Sequence, residues 1–232
     1  MTDYNNFRYD EVRKIFTEKK LPLMKKELEL SEKDIYFDSS CLFIKSYAKI
    51  ACEELARERE RLSIIHLIEN PIDVSLSLYR EKETPSFEED KFFLNLGYPA
   101  NRIKPDFLKY REYNHRFFKI FWYCLECYVR SKELISRYRN VKHYVFFTNW
   151  LNSEFELKSL FNSLGCNINR RRLESASKVY NNYQFIENKF PDKKGREFLD
   201  KENAIKLARK FISKFGDTFQ LSKEECEELI NL

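Results

Sequence analysis

The sequence predicts an α/β protein in which a small parallel sheet is flanked by helices, with further helices at both termini. An apolar run at Leu62–Ile68 leads through a tight turn into a helical pattern, which is the repeating unit of an open α/β sheet. A second β-prone run at His143–Phe147 is also followed by a helical pattern. The 232 residues, 43% hydrophobic and 34% charged, suffice for one domain with a buried core.

The N-terminal region, residues 1–30, carries helical signals. Val12, Ile15 and Phe16 fall on one face of a helix, and Pro22 is expected to break the run. The first residues, "MTDYNNFRYDEVRKIF", are polar and lack the apolar segment of a signal peptide. We therefore expect a helical lead in a cytoplasmic protein.

A short β-prone segment, "DIYFD" at Asp34–Asp38, follows this lead. Ser39 or Ser40 can then cap a helix that runs to about Arg59, because a hydroxyl oxygen accepts from the free N–H groups of a first helical turn. The sequence thus predicts a strand and a helix before the central strand–turn–helix unit.

That unit begins with "LSIIHLI", whose apolar character is typical of a strand buried on both faces. Asn70 and Pro71 end the strand, and proline suits the first turn of the helix "PIDVSLSLYREK" that follows. Strand, turn and helix occupy about twenty residues, as in the repeating unit of α/β proteins.

The C-terminal half predicts a long helix, a strand and three shorter helices. The long helix should run from Asp106 to Tyr138 and bury its aromatic series, with an exposed acceptor platform as the alternative. After His143–Phe147, the helix "EFELKSLFNSLG" should end at Gly165. Two last helices are "NAIKLARKFISKFG" and "KEECEELINL". We expect a single domain, 1–232, with a helical lead (1–30), a core (31–165) and a helical tail (166–232).

Charge and composition exclude several function classes. Net charge is +5, from 42 basic and 37 acidic residues, and its interspersed pattern does not predict nucleic-acid binding. The densest basic run, Arg170–Arg172, is either a solvated surface or a phosphate-binding patch. The longest largely apolar run, about thirteen residues, is too short to cross a bilayer, so no membrane partner is expected.

Cysteine and histidine spacing predicts no metal site. Cys124 and Cys127 form a C-x-x-C inside an aromatic helical run, which favours core thiols over a zinc or redox site. The three histidines, His66, His115 and His143, have neither helical pair spacing nor an accompanying acid at ligand spacing.

Residues 69–77, "ENPIDVSLS", resemble the 3′-phosphate element of sulfotransferases that use 3′-phosphoadenosine-5′-phosphosulfate (PAPS). That family reads R-[ND]-P-x-[DE]-x-x-x-S after a buried strand, and its arginine and serine hold the nucleotide's 3′-phosphate. By this resemblance Ser77 is the hydroxyl donor to PAPS, whereas Glu69 stands in the slot of the family arginine. A carboxylate there repels a phosphate, although Arg61, Lys45 or Arg80 could supply a cation.

The flanking segments carry the resemblance over about Asp34 to Gly165. "DIYFDSSCLFIKSYAKI" is similar to the strand and helix before the element, and "NVKHYVFFTNWLNSEFELKSLFNSLG" to the later strand, corner and helix. The resemblance implies a P-loop NTPase-like sheet in which strand 62–68 is central, with Glu69 and Ser77 facing one cleft. Within the first thirty residues there is no glycine, so the family's Gly-rich 5′-phosphosulfate loop has no counterpart there.

Two further residues are candidate catalytic groups. Asp38 would lie at the carboxyl end of a strand, where ligand sites form in parallel sheets, and its alternative role is to cap the following helix. His115 could border a cleft, with plain solvent exposure as the alternative. His66 is expected to be a hydrogen-bonded core residue rather than a base, and Ser75 and Ser77 could instead ease helix–sheet packing.

These observations leave two functions open, and a third interpretation in which the chain is an unrelated helical α/β protein and the motif is coincidence. The first is a sulfotransferase-like protein, descended from enzymes that move a sulfuryl group from PAPS to a hydroxyl acceptor; the departures at Glu69 and in the first thirty residues argue against present activity. The second is a non-catalytic module that keeps the α/β core and binds a protein partner.

Overall fold

The computed structural model describes residues 1–31, 35–40, 42–57, 61–81, 84–88, 90, 92–169, 171, 199–219 and 221–231. Most of these residues are helical, and the described part of the chain contains one parallel sheet of two strands. The fold class is therefore a small α/β arrangement, as the sequence predicts. Of the predicted basic run, only Arg171 is described, and it is exposed.

The N-terminal lead is helical, but Pro22 does not break it. Its elements are α1 (Thr2–Asn5), α2 (Tyr9–Ile15), a π-helical turn (Phe16–Lys20) and α3 (Leu21–Ser31). Pro22 is the second residue of α3, where a missing N–H is tolerated. The wider turn before it ends with the N–H of Leu21 donating to the carbonyl of Phe16.

The predicted strand at Asp34–Asp38 is wrong over its described residues, 35–38, which form no helix or strand. The following helix also begins later than expected, with a π-helical turn (Phe43–Tyr47) that continues as α4 (Ala48–Arg57). Ser40 does not cap a regular helix; its hydroxyl oxygen accepts from the N–H of Leu42 at 3.2 Å in a local turn.

The sheet pairs β1 (Ser63–Ile68) with β2 (Lys142–Phe147) in parallel, with Ser63 opposite Lys142 and Ile68 opposite Phe147. Both strands agree with the sequence prediction. The expected central position of β1 does not, because within the described residues β1 pairs only with β2. One edge of each strand thus lacks a neighbouring strand in this part of the chain.

Helices cover the two faces of the sheet unequally. Ile64 packs with Ala48, Cys52, Leu134 and Val141 on one face. On the other face, β2 packs through Phe146 against α7 (Glu154–Ser163). Gly165 closes α7 with φ +76°, the left-handed conformation predicted for it.

The main core lies beside the sheet, between four helices. These are α5 (Pro71–Arg80), α6 (Arg116–Arg137), α8 (Lys201–Phe215) and α9 (Lys223–Asn231). Their fully buried side chains include Phe117, Phe121, Trp122 and Phe211, each 0% exposed. The aromatic series of α6 is therefore core and not an acceptor platform.

The long helix begins at Arg116, ten residues after the predicted start at Asp106. Two 3-10 turns, Asp106–Lys109 and Arg111–Tyr113, fill the interval. Extended dihedral angles at Tyr110 and His115 separate these pieces and prevent one continuous helix. Among the described helices none combines the length and apolar character needed to cross a membrane.

Candidate functional site

The turn between β1 and α5 is built around Asn70. Its Oδ1 atom accepts from the N–H of Ile72 at 2.7 Å, and Pro71 occupies the first helical position. Its Nδ2 atom donates to the carbonyl of Ile230 in α9 at 3.0 Å, and the residue is only 8% exposed. Asn70 therefore caps α5 and also ties this helix end to the C-terminal helix.

A lysine that the motif comparison missed lies near the start of α5. Lys201 Nζ, from the first turn of α8, is 2.8 Å and 2.9 Å from the two carboxylate oxygens of Asp73. The charge of this cation is therefore balanced within the chain. No local sequence signal could have identified Lys201, because it lies far from Asp73 in sequence.

The other cations suggested for the site do not gather there. Lys45 is 4% exposed, and its Nζ donates to the hydroxyl of Tyr123 at 3.1 Å and to the carbonyl of Phe92. Arg61 and Arg80 are both exposed.

Glu69 and Ser77 occupy different environments. Glu69 is exposed at the turn itself, whereas Ser77 is half-buried in the second turn of α5. Ser75 is fully buried, with its hydroxyl 3.7 Å from the sulfur of Cys124, so it serves helix packing. Burial raises the pKa of Cys124 to about 12, and the nearby Glu69 carboxylate adds to this effect.

The C-x-x-C pair lies on α6, as the core-thiol interpretation predicts. Burial also raises the pKa of Cys127, to about 11, so both thiols stay protonated at neutral pH. Among the described residues, no group of three or more His, Cys, Asp or Glu side chains is placed to hold a metal ion.

Asp38 lies in an irregular segment and not at the end of a strand. Its carboxylate accepts from Lys20 Nζ at 2.6 Å, from the Tyr47 hydroxyl at 3.0 Å and from the N–H of Ser40 at 3.0 Å. Burial raises the pKa of Asp38, but these hydrogen bonds outweigh burial and hold the pKa below its usual value. The group is an ionised anchor between two helices, which makes it a weak general base.

His115 acts as the N-cap of α6. Its Nδ1 atom accepts from the N–H of Phe117 at 3.3 Å, and its half-buried ring stacks on Tyr79 at 5.8 Å. The sequence predicted either solvent exposure of His115 or a position beside a cleft. The structure instead shows a ring held by a helix terminus and an aromatic neighbour.

His66 is a buried, hydrogen-bonded core residue, as expected. The sequence did not predict that its hydrogen-bond partner is another histidine, His143. His66 Nε2 lies 2.9 Å from His143 Nδ1, on the neighbouring strand, and His66 Nδ1 lies 2.6 Å from the hydroxyl of Ser131. His143 Nε2 is 3.1 Å from the carbonyl of Tyr138. The parallel register brings the two rings together, and the sequence spacing alone could not indicate this.

The carbonyl of Tyr138 determines which atoms donate and which accept in this series of hydrogen bonds. A carbonyl only accepts, so neutral His143 carries its proton on Nε2 and accepts at Nδ1. His66 Nε2 therefore donates to His143, and the Ser131 hydroxyl donates to His66 Nδ1. Burial and the neighbouring His143 lower the pKa of His66 to about 4, which keeps the ring neutral.

Residues 69–77 stabilise a helix junction, in which Asn70 and Asp73 bind other residues of the same chain. The nucleotide contact that the resemblance implies for Ser77 remains a prediction. Comparison with known proteins adds no family to this description: no protein-family model, curated protein or solved structure matches the chain.

Proposed function

We propose that this chain is a non-catalytic protein-binding module that retains a sulfotransferase-like α/β core. The observation that carries the proposal is the double use of Asn70, which caps α5 and binds the carbonyl of Ile230. A phosphate at this helix terminus would compete with the Asn70 cap for the N–H of Ile72. It would also approach the exposed carboxylate of Glu69.

The competing proposal is a transferase that binds PAPS through Ser77. It would need a cation at the start of α5, and Lys201, which lies beside Asp73 there, is already paired with that carboxylate. Replacing that pair by a phosphate contact would leave the Asp73 carboxylate beside the ligand. The binding-module proposal requires no such rearrangement.

The binding surface that we propose is the outer edge of β1. The N–H of Lys142 donates to the carbonyl of Leu62, and in a parallel ladder this direction assigns alternate residues of β1 to the pairing with β2. The backbone groups of Ser63, Ile65 and Leu67 then point outward. Within the described residues, no hydrogen bond to these outward groups is found.

The residues of this edge also expose apolar surface. Leu67 is 58% exposed and Ile65 half-buried, because α7 packs mainly over β2 on that face. An open strand with an exposed leucine is a template for pairing with another chain. The β2 edge is less open: Val145 is 43% exposed, against 58% for Leu67, and the ring centroids of Phe147 and Trp150 lie 4.9 Å apart.

The partner that fits is an extended peptide segment of another protein, added as a third strand beside β1. Backbone hydrogen bonds would supply affinity, and an apolar side chain packed on Leu67 would supply selectivity. The choice of an extended peptide as the partner rests on the strand edge alone and does not involve residues 69–77.

A peptide selection tests the proposal. Random extended peptides are selected on the native protein, and calorimetry and amide hydrogen exchange are measured on the complexes. We expect new protection at the amides of Ser63, Ile65 and Leu67. We also expect Leu67→Pro, which removes one outward N–H at an edge position that tolerates proline, to weaken binding about tenfold or more.

Val145→Pro is the matched control, because Val145 is the corresponding outward residue on the other edge of the same sheet. Thermal unfolding of both variants checks that they fold. Peptides that protect no β1 amide, or equal losses of affinity in both proline variants, would overturn the proposal.

A further inference from the structure

We infer that a small pocket beside α4 and the end of α6 is a binding site for a phosphate dianion, either free or as a monoester. Its walls come from three parts of the chain: Tyr4 of α1, Lys49 of α4, and Arg137 with Tyr138 at the end of α6. Arg102 and Arg130 complete the basic lining. No residue between 69 and 77 lines this pocket, so it is separate from the nucleotide element.

Basic residues dominate the pocket wall. Among the described lining residues there are four cationic side chains, Lys49, Arg102, Arg130 and Arg137, and one carboxylate, that of Glu133. Such an excess in a concave site favours an anion, because the low-dielectric walls screen the cations poorly.

Two of these cations are already neutralised. Arg130 Nε donates to Glu126 at 2.6 Å, and its other nitrogens reach the carbonyl of Lys45 and the side chain of Asn101. Arg102 Nε donates to Glu133 at 2.5 Å. These arginines form the floor and wall of the site and leave little net charge of their own.

The remaining two carry the excess charge. Arg137 is 53% exposed and its Nη1 lies 3.9 Å from Glu133, beyond hydrogen-bond distance. Lys49 Nζ lies 4.5 Å from the centre of the Tyr9 ring, and no described carboxylate forms an ion pair with it. Glu53, one helical turn from Lys49, binds Arg13 at 2.7 Å and the Tyr138 hydroxyl at 2.9 Å, and so is engaged elsewhere.

Of the two tyrosines that line the pocket, Tyr4 supplies a neutral donor, because the hydroxyl of Tyr138 already donates to Glu53. Burial, followed by the charge of Tyr9, raises the pKa of Tyr4, so its hydroxyl stays protonated. A guanidinium, an ammonium and a hydroxyl together match the oxygens of a phosphoryl group. The pocket is too small for a whole nucleotide.

Titration with inorganic phosphate tests the site. Calorimetry and phosphorus NMR are run on the full chain at constant ionic strength, with chloride and sulfate as comparison anions and O-phosphoserine as the monoester. We expect saturable phosphate binding that Arg137→Gln and Lys49→Gln each weaken about tenfold. Glu133→Gln should tighten binding, a gain that lost structure could not produce. Equal affinity for phosphate and O-phosphoserine indicates that the ester group projects into solvent.

Arg209→Gln is the matched control. Arg209 is 52% exposed and lies 3.5 Å from Glu227, so its exposure and weak ion pair resemble those of Arg137. It should bind phosphate as the native protein does. Absence of saturable binding, an equal loss in Arg209→Gln, or weaker binding in Glu133→Gln would each overturn the inference. None of these outcomes bears on the β1 edge, because the two sites share no residue.

Discussion

The histidine pair between the two strands couples the sheet to α6. His66 is 5% exposed, and it contacts Ser131 of α6 on one side and His143 of β2 on the other. Protonation of His66 would put a second proton on Nδ1, the atom that accepts from the Ser131 hydroxyl, and would bury a positive charge, so the neutral ring belongs to the folded state. The pair therefore links fold stability to pH.

We predict that this link destabilises the protein in mild acid. The pKa of His66 is about 4 in the folded chain, against 6.5 for an unperturbed histidine. Stability is full above pH 6.5, since both states are then neutral, and it falls as pH drops towards 4, because only the unfolded chain binds the proton. The loss should be on the order of 3 kcal/mol by urea unfolding.

His66→Asn should flatten this pH dependence, and His115→Asn is its control. Asparagine can still cap α6 at position 115, so that variant should keep the native profile. Protonation of carboxylates such as Asp38 also lowers stability in acid, but equally in the native protein and both variants. The effect of His66 is therefore read from the difference between their stability–pH profiles. A native-like profile in His66→Asn would contradict the assignment.

For individual residues, the sequence predicted burial better than it predicted hydrogen-bond partners. His66 was expected in the core with a hydrogen bond, because it interrupts an apolar strand. Its bond to His143 depends on the register of two strands that lie far apart in sequence, which periodicity does not encode. Asp38 shows the opposite case: its place depended on a strand at 34–38 that is absent from the described residues, 35–38.

The turn from β1 into α5 is the element that joins the sheet to the C-terminal helices. Asn70→Ala removes its cap on Ile72 and leaves the carbonyl of Ile230 without its donor. We expect a loss of about 2–3 kcal/mol in the free energy of unfolding, measured with urea.

Ser153→Ala is the comparison for this change. Ser153 caps α7 through one bond to the N–H of Glu156 at 3.3 Å, and within the described residues its side chain has no second partner of the Asn70 kind. Its loss should be about 1 kcal/mol. Equal losses in the two variants would show that the bond between Asn70 and Ile230 adds nothing.

Element boundaries followed the sequence where capping signals were local. Pro71 and Gly165 mark the start of α5 and the end of α7, as predicted. The prediction that Pro22 breaks the N-terminal helical run is wrong, because a π-helical turn precedes it and Pro22 is the second residue of α3. The start of α6 was missed because the helical spacing of apolar residues continues through two 3-10 turns.

The C-terminal helices are part of the main core of the molecule. Phe211 of α8 is 0% exposed and contacts rings of Phe107, Phe118, Phe121 and Phe219. Phe211→Ala should therefore lower the free energy of unfolding by about 3–5 kcal/mol, measured by urea unfolding. The sequence predicted helices in this tail, but only tertiary packing shows that they complete the core around α5 and α6.

Phe155→Ala provides the surface reference for that prediction. Phe155 lies on α7 and is 78% exposed, so its truncation should change stability by no more than about 0.5 kcal/mol. A small effect of Phe211→Ala, similar to that of Phe155→Ala, would mean that α8 is a peripheral appendage.

Residues 69–77 form a helix junction whose polar groups are bound by other residues of the same chain. The most direct test is calorimetry with 3′-phosphoadenosine-5′-phosphate on the native chain, Glu69→Arg and Ser77→Ala. We predict no saturable binding to any of the three proteins, because Asn70 and Asp73 keep their intramolecular partners. Tight binding by the native chain that Ser77→Ala weakens would contradict the claim and restore the nucleotide site.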